Sequence, residues 1–246
     1  MTSVYDEYYK QHYDMLKKPY GYPLDYYMWR ASKTKGEIAK FIRKDGLILD
    51  IGGGFGGMTQ FLPTFINKDV SYINVDISSY MLSYCPYQKI IGTAENLPFR
   101  NNSFDYVICS EVLQHIKNKE KALREAYRVL KSSGLFLLNT PRTGRTADFK
   151  KSPFFIFLIL DYLVKLLLRK MRRTANQTKI SQGVVFDPVD EIWLNWICQS
   201  IGFNVLSQYR IDNHPPWGRG KFWRYFSDLF INPRKFGLYT FIVCKK

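Results

Sequence analysis

Residues Leu47 to Leu62 read Leu-Ile-Leu-Asp-Ile-Gly-Gly-Gly-Phe-Gly-Gly-Met-Thr-Gln-Phe-Leu, and no other stretch constrains the fold as much. An apolar run meets an acidic residue, then clustered glycines, then an amphipathic continuation. The pattern predicts a buried strand over Leu47–Ile51, a tight turn, and a helix from Gly57 to Ile66. Glycine tolerates positive φ and lets a ligand touch the backbone. The helix N-terminus beyond it offers unpaired N–H groups to an anion or carboxylate. A nucleotide-type ligand site is therefore expected at the first strand of an α/β sheet.

The glycines leave the nucleotide open. Gly52, Gly54 and Gly57 fit G-x-G-x-x-G, the dinucleotide fingerprint in which a pyrophosphate sits on the helix. Asp50, Gly52, Gly54 and Gly56 fit equally well the acidic-x-G-x-G-x-G pattern of S-adenosylmethionine enzymes, where the acid faces the cationic amino group of the methionine part. A glycine turn without a ligand is the third reading.

The rest of the first half alternates strands and helices. Val70–Val75 is a strand ending at Asp76, where a carboxylate can accept both ribose hydroxyls of an adenosine. Ser78 or Ser79 then caps a short helix to Tyr84. Lys89–Gly92 and Phe104–Cys109 are further strands. Lys119–Leu130 is an amphipathic helix with Ala122, Leu123, Ala126, Val129 and Leu130 on one face, ended by Ser132-Ser133-Gly134, and Leu135–Asn139 is a fifth strand. Alternation at these lengths means a doubly wound parallel sheet. Ahead of it, residues 1–44 form a helical arm, with a helix expected from about Leu24 to Arg43. Tyr5, Tyr8, Tyr9 and Tyr13 in this arm either pack over the sheet edge or close as a lid over the ligand.

At 246 residues a single domain is expected, and the 46% apolar content builds an ordinary core. The four cysteines (Cys85, Cys109, Cys198, Cys244) lie far apart and suggest neither a zinc site nor a disulfide framework. With three scattered histidines, no metal site is expected. The chain opens on a polar, tyrosine-rich stretch unlike a signal peptide, which predicts a cytoplasmic location. The net charge of +15 is concentrated in the second half, where residues 141–186 carry ten basic and two acidic side chains. That field suits an anionic substrate, lipid headgroups or nucleic acid.

Four blocks in order give the chain a specific resemblance: Leu49-Asp-Ile-Gly-Gly-Gly-Phe-Gly-Gly57, Asn74-Val-Asp-Ile-Ser78, Gly92-Thr-Ala-Glu-Asn-Leu-Pro-Phe99, and Ser103-Phe-Asp-Tyr-Val-Ile-Cys-Ser110 continuing to His115. Over residues 45–140 the chain resembles class I S-adenosylmethionine-dependent methyltransferases, most closely the type-11 group. Gly53 stands where many members have Cys, a change of little expected consequence for backbone contacts. Thr93 stands where Asp is common, so contact to the adenine amino group shifts to Ala94 or Glu95. The resemblance implies a Rossmann-like, doubly wound, mostly parallel seven-stranded sheet with an antiparallel last strand. It also implies S-adenosyl-L-methionine as the cofactor. Asp50, Gly52, Gly53 and Gly54 would hold its methionine end and Asp76 its ribose. Ile77 and Met81 would pack on the adenine, Ala94 and Glu95 would contact its edge, and Ser110 would lie beside the reacting sulfonium. His115 is the candidate general base, if the acceptor has a proton to lose; a hydrogen-bonded, pocket-lining histidine is the alternative.

Acceptor specificity is expected in the second half. A helix from Asp187-Pro188 through Ile201, with Ile192, Trp193, Trp196 and Ile197 inward, is closed by Gly202; Phe203–Ile211 and Leu238–Cys244 are the last strands. This leaves two insertions, Pro141–Phe186 and Asp212–Gly237. Within residues 150–173, an apolar run from Phe154 to Leu168 with a basic end reads as a cap helix over the acceptor or as a peripheral membrane contact. The basic aromatic run from His214 to Phe226 could stack on single-stranded RNA. The expected activity is methyl transfer by direct displacement to a small-molecule or lipid-like acceptor. An RNA methyltransferase, or a catalytically inactive cofactor-binding partner subunit, is the alternative.

Overall fold

A computed structural model describes residues 4–8, 10, 33–57, 62–66, 68–143, 186–211 and 239–246. Seven strands form one sheet in the order β3-β2-β1-β4-β5-β7-β6. These are β1 (Gly46–Ile51), β2 (Val70–Asp76), β3 (Gln88–Ile91), β4 (Phe104–Ser110), β5 (Leu130–Pro141), β6 (Asn204–Ile211) and β7 (Tyr239–Lys245). β1 pairs in parallel with β2 and β4, β2 with β3, and β4 with β5. β7 runs antiparallel to both β5 and β6. The expected architecture is therefore present, including its antiparallel end.

Both faces of the central strands are apolar, as a doubly covered parallel sheet requires. On one face Leu49, Ile51, Val107, Cys109 and Leu138 pack with the helices α2 (Lys119–Val129) and α3 (Glu191–Ile201). On the other, Ile48, Tyr106, Ile108 and Leu137 meet Ile38 from the helical residues 33–39 and Ile42 just beyond them. The alternation of side chains along a strand sends odd and even positions of β1 to opposite layers.

Local chemistry sets the boundaries. Asn118 caps α2 by accepting from the Lys121 N–H at 3.0 Å. Asp190 caps α3 by accepting from the N–H groups of Ile192 and Trp193, and Gly202 closes it in the left-handed conformation at φ 114°. The start of α3 is thus Asp190, not Asp187-Pro188. Ser78, not Ser79, caps α1 (Ser79–Ser83), accepting from the Met81 N–H.

Three expectations need correcting. β5 begins at Leu130, directly from α2, because Leu130 pairs with Phe104 while Ser133 donates to the Lys246 carbonyl. The Ser132-Ser133-Gly134 stretch lies inside the strand, with Ser133 at φ 67° absorbing the irregularity. The inward face of α3 is Leu194, Ile197 and Cys198; Ile192 is 81% and Trp196 61% exposed, and Trp193 is half-buried. The reason is that this helix is apolar nearly all round, so its rotation is set from outside: Asn195 donates to Gln208 on β6, and Gln208 donates back to the Glu191 carbonyl. Gly57 is helical, as expected, residues 58–61 lie outside the described set, and a short 3₁₀ turn follows over Leu62–Thr64.

All four cysteines are buried and unbridged. Among the described residues, no helix is long and apolar enough to cross a membrane, and no cluster of His, Cys, Asp or Glu is arranged to hold a metal. The segments 144–185 and 212–238 lie outside the described residues, as do the membrane, cap and RNA readings that depend on them.

Candidate active site

The carboxyl ends of β1, β2 and β4 open into a cavity of about 310 Å³. It lies where the chain order reverses, with β2 and β3 on one side of β1 and β4 on the other. Gly52, Asp76, Ile77, Ala94, Glu95, Ser110 and His115 all line it. Asp50, Gly53, Gly54 and Met81 do not: Asp50, Gly54 and Met81 are buried behind the wall, and Gly53 is half-buried next to Gly52.

The turn after β1 explains the glycines one by one. Gly52, Gly54 and Gly56 adopt φ values of 69°, 52° and 82°, the left-handed region that side chains avoid. At Gly52 a Cβ would also lie 2.3 Å from Val112 Cγ2, so the β1 turn and the segment after β4 touch only because this residue has no side chain. Gly53 has no positive φ, yet a Cβ there would stand 2.9 Å from both Asp50 Oδ2 and Asn74 Cγ. The absence of a side chain at Gly53 therefore has a steric consequence that its backbone role did not suggest.

Asp76 holds this turn. Its Oδ2 accepts from the Gly54 N–H at 3.0 Å and its Oδ1 from the Ser78 N–H at 2.8 Å. Each carboxylate oxygen has a second lone pair to offer a ligand. Burial raises its pKa above the usual carboxylate value, and the backbone N–H donors of Ser78, Gly54 and Ile77 pull it back.

Asp50 is only 2% exposed and pairs in register with Asn74 on β2. Its Oδ2 and the Oδ1 of Asn74 have no hydrogen-bond partner among the described residues. Burial, with repulsion from Asp76 added, pushes the Asp50 carboxyl up to about 7. Asn74 donates its amide to Cys85 Sγ at 2.9 Å, leaving its carbonyl oxygen toward the glycine turn. Met81 is buried under the turn, its Cε 3.6 Å from the position of a Gly54 Cβ, so it supports the glycines and does not line the cavity. Glu95 lines the cavity but also holds Asn118, the cap of α2, its Oε1 accepting from the Asn118 N–H at 2.7 Å.

On the opposite lip, Glu111 follows Ser110 with φ 59°, a strained value for a non-glycine residue. It is held there by its N–H to the Asn139 carbonyl at 2.7 Å and by its carbonyl, which accepts from the Gln114 side chain at 2.7 Å. The half-buried His115 ring lies 5.7 Å from the Phe186 ring. Its carbonyl accepts from the Tyr5 hydroxyl at 3.1 Å, and Tyr5 lines the cavity. Glu111 and Val112 lie within the block that continues to His115 but receive no role of their own from it, and the tyrosine spacing of the arm is the sequence signal for Tyr5. Tyr8 is half-buried, while Tyr9 and Tyr13 lie outside the described residues.

Residues 49–138 match the family model described as a methyltransferase domain. This region is therefore a methyltransferase domain, and the sheet around it has the class I fold. A solved S-adenosylmethionine-dependent methyltransferase from Thermotoga maritima superposes with a TM-score of 0.62 over 100% of both chains, at 19% identity. The ubiquinone/menaquinone biosynthesis C-methyltransferase UbiE of Hydrogenovibrio crunogenus is 33% identical over 138 residues, 51% of this chain and 54% of that protein. An uncharacterized protein of Methanocaldococcus jannaschii is 31% identical over 182 residues, 74% of this chain and 65% of that protein. The chain thus spans less than two thirds of the length of these last two relatives. The domain and fold imply S-adenosyl-L-methionine as cofactor. The residues present fit it: a turn of positive-φ glycines, a buried acid with an unpartnered oxygen behind it, and a carboxylate at the end of β2.

Proposed function

We propose that the chain binds S-adenosyl-L-methionine in this cavity and transfers its methyl group by direct displacement to a small-molecule or lipid-like acceptor. The observation that carries this reading is the bond from the Gly54 N–H to Asp76. It joins the glycine turn to the carboxylate that would accept ribose hydroxyls, making one preorganised surface for a nucleoside with a charged tail.

When bound, the cofactor supplies a methyl group already activated on a sulfonium. The protein's part is alignment and exclusion of water. Asp76 would accept from the ribose, with Ile77 against the base and Ala94 and Glu95 at its edge. Gly52 to Gly54 would face the methionine end, and Asp50 would supply the opposite charge to its ammonium from behind the turn. Ser110, Glu111 and His115 then border the space for the acceptor. His115, which lines the cavity, would take a proton there if the acceptor carries one. The C-methyltransferase relatives favour a small-molecule or lipid-like acceptor.

The test uses the full chain with labelled S-adenosylmethionine and fractionated cell extract, following label into aqueous metabolites, lipid, RNA and protein. Label in metabolites or lipid supports the proposal; label in RNA gives the substrate to the basic aromatic segment. Binding of S-adenosylhomocysteine with no transfer into any fraction would make the chain a cofactor-binding subunit. His115→Ala should slow transfer at least about tenfold if it acts as base, and an unchanged rate with the true acceptor removes that role.

A further inference from the structure

We infer that Asp6 is a positioning residue for cofactor binding, clamping residues 4–8 across the cavity as a strap that an occupied site holds shut; this rests on the methyltransferase reading above.

The strap is fastened at both lips. Asp6 is 5% exposed. Its Oδ1 accepts from the Ser78 hydroxyl at 2.6 Å and from the Tyr80 N–H at 3.1 Å, and its Oδ2 accepts from the Ser79 hydroxyl at 3.2 Å. These donors belong to the start of α1, directly after β2. One residue earlier, the Tyr5 hydroxyl reaches the His115 carbonyl after β4. Adjacent residues of one helical segment thus bridge the two sides of the cavity, and Tyr5 forms part of its wall. A carboxylate buried to this degree is not a surface cap. It is held by charge-assisted hydrogen bonds, the stronger kind.

Ser78 couples the strap to the ligand surface. Its N–H donates to Asp76, and its hydroxyl donates to Asp6. The carboxylate meant for the ribose and the carboxylate that anchors the strap therefore approach one residue from two sides. Their like charges oppose each other, and Asp6 contributes to the raised pKa of Asp76. Ribose hydroxyls donating to Asp76 would disperse its charge and ease the docking of Asp6. By linkage, a docked Asp6 then favours the bound nucleoside by the same factor. The methyltransferase-domain match begins at residue 49, so this clamp comes from outside the matched region.

The experiment uses the full chain and S-adenosylhomocysteine as probe. Dissociation constants and off-rates are measured for wild type, Asp6→Ala, Asp6→Asn and Tyr5→Phe, with amide exchange followed at residues 4–8 and 78–84. Asp6→Ala should weaken binding about tenfold, mostly through a faster off-rate, and should abolish the ligand-induced protection of both segments. Asp6→Asn keeps one acceptor oxygen and should recover part of the affinity. Tyr5→Phe should raise the off-rate less. A purely structural role would lower the melting temperature of the free protein without changing the ligand-induced protection. Wild-type affinity, off-rate and protection in Asp6→Ala would overturn the inference while leaving the methyltransferase reading intact. If wild type itself fails to bind the probe, that reading falls, and the strap with it.

Discussion

The Gly54 N–H donates to Asp76 Oδ2 at 3.0 Å, so the carboxylate at the end of β2 also fixes the glycine turn at the end of β1. A residue expected to act on the ligand is therefore also part of the site's scaffold. Asp76→Ala should cost about 2 to 4 kcal/mol of stability, from two buried N–H donors losing a charged acceptor. Asp76→Asn keeps an acceptor oxygen and should unfold closer to wild type. Both should lose S-adenosylhomocysteine binding. Urea denaturation and calorimetric titration measure the two effects separately; retention of binding by Asp76→Asn would remove the ribose role.

Gly52→Ala combines a positive φ with a 2.3 Å approach to Val112. Backbone strain and overpacking each cost about 1 to 3 kcal/mol. The variant should melt lower and bind S-adenosylhomocysteine at least about tenfold more weakly, since relief requires the turn to shift. Gly52→Ala with Val112→Ala should recover only the overpacking part of the lost stability and little affinity, because the strained φ remains. Recovery of both would show that the contact alone mattered.

Asp50 gives a pH signature. Burial and Asp76 hold its carboxyl at about 7, well above an unfolded aspartate. Protonation is favoured in the fold, so this group's contribution is fully present below the ordinary aspartate range and is lost as pH rises through about 7. The free protein should therefore lose stability between about pH 4 and pH 7. A cofactor ammonium favours the charged carboxylate, so S-adenosylhomocysteine affinity should rise with pH up to about 7, with a proton released on binding below that value. Calorimetry in buffers of different ionisation enthalpy detects the proton; Asp50→Asn should abolish the release. Release that persists in Asp50→Asn assigns it to another group.

The rotation of α3 predicts unequal costs for similar truncations. Leu194 is fully buried and Ile192 is 81% exposed. Leu194→Ala should cost about 2 to 5 kcal/mol, and Ile192→Ala should stay within about 0.5 kcal/mol. Equal costs in denaturant titrations would mean that Ile192 is covered in solution.

Much of the site could be read without the fold. The glycines at 52, 54 and 56 need their positive φ wherever the turn sits, and Asp76 follows a strand whose apolar run predicts its end. Ser110 and His115 lie just past β4 for the same reason. These are local properties, fixed by conformational freedom and side-chain period over a few residues. The inward face of α3 was not local. Its apolar residues surround the helix, and Gln208 on β6 chose among the stripes.

By itself, then, the sequence determined the alternation of strands and helices, the turn after β1 and the family of blocks around it. Tertiary structure alone decided that Asp50 stands behind the wall, that Met81 props the turn from below, that Glu111 is held in a strained backbone, and that Asp6 reaches Ser78 across 72 positions of chain. The physical reason is the range of each effect. Dihedral preference and periodicity act within one element, whereas burial and hydrogen bonding between distant residues exist only once the elements have packed.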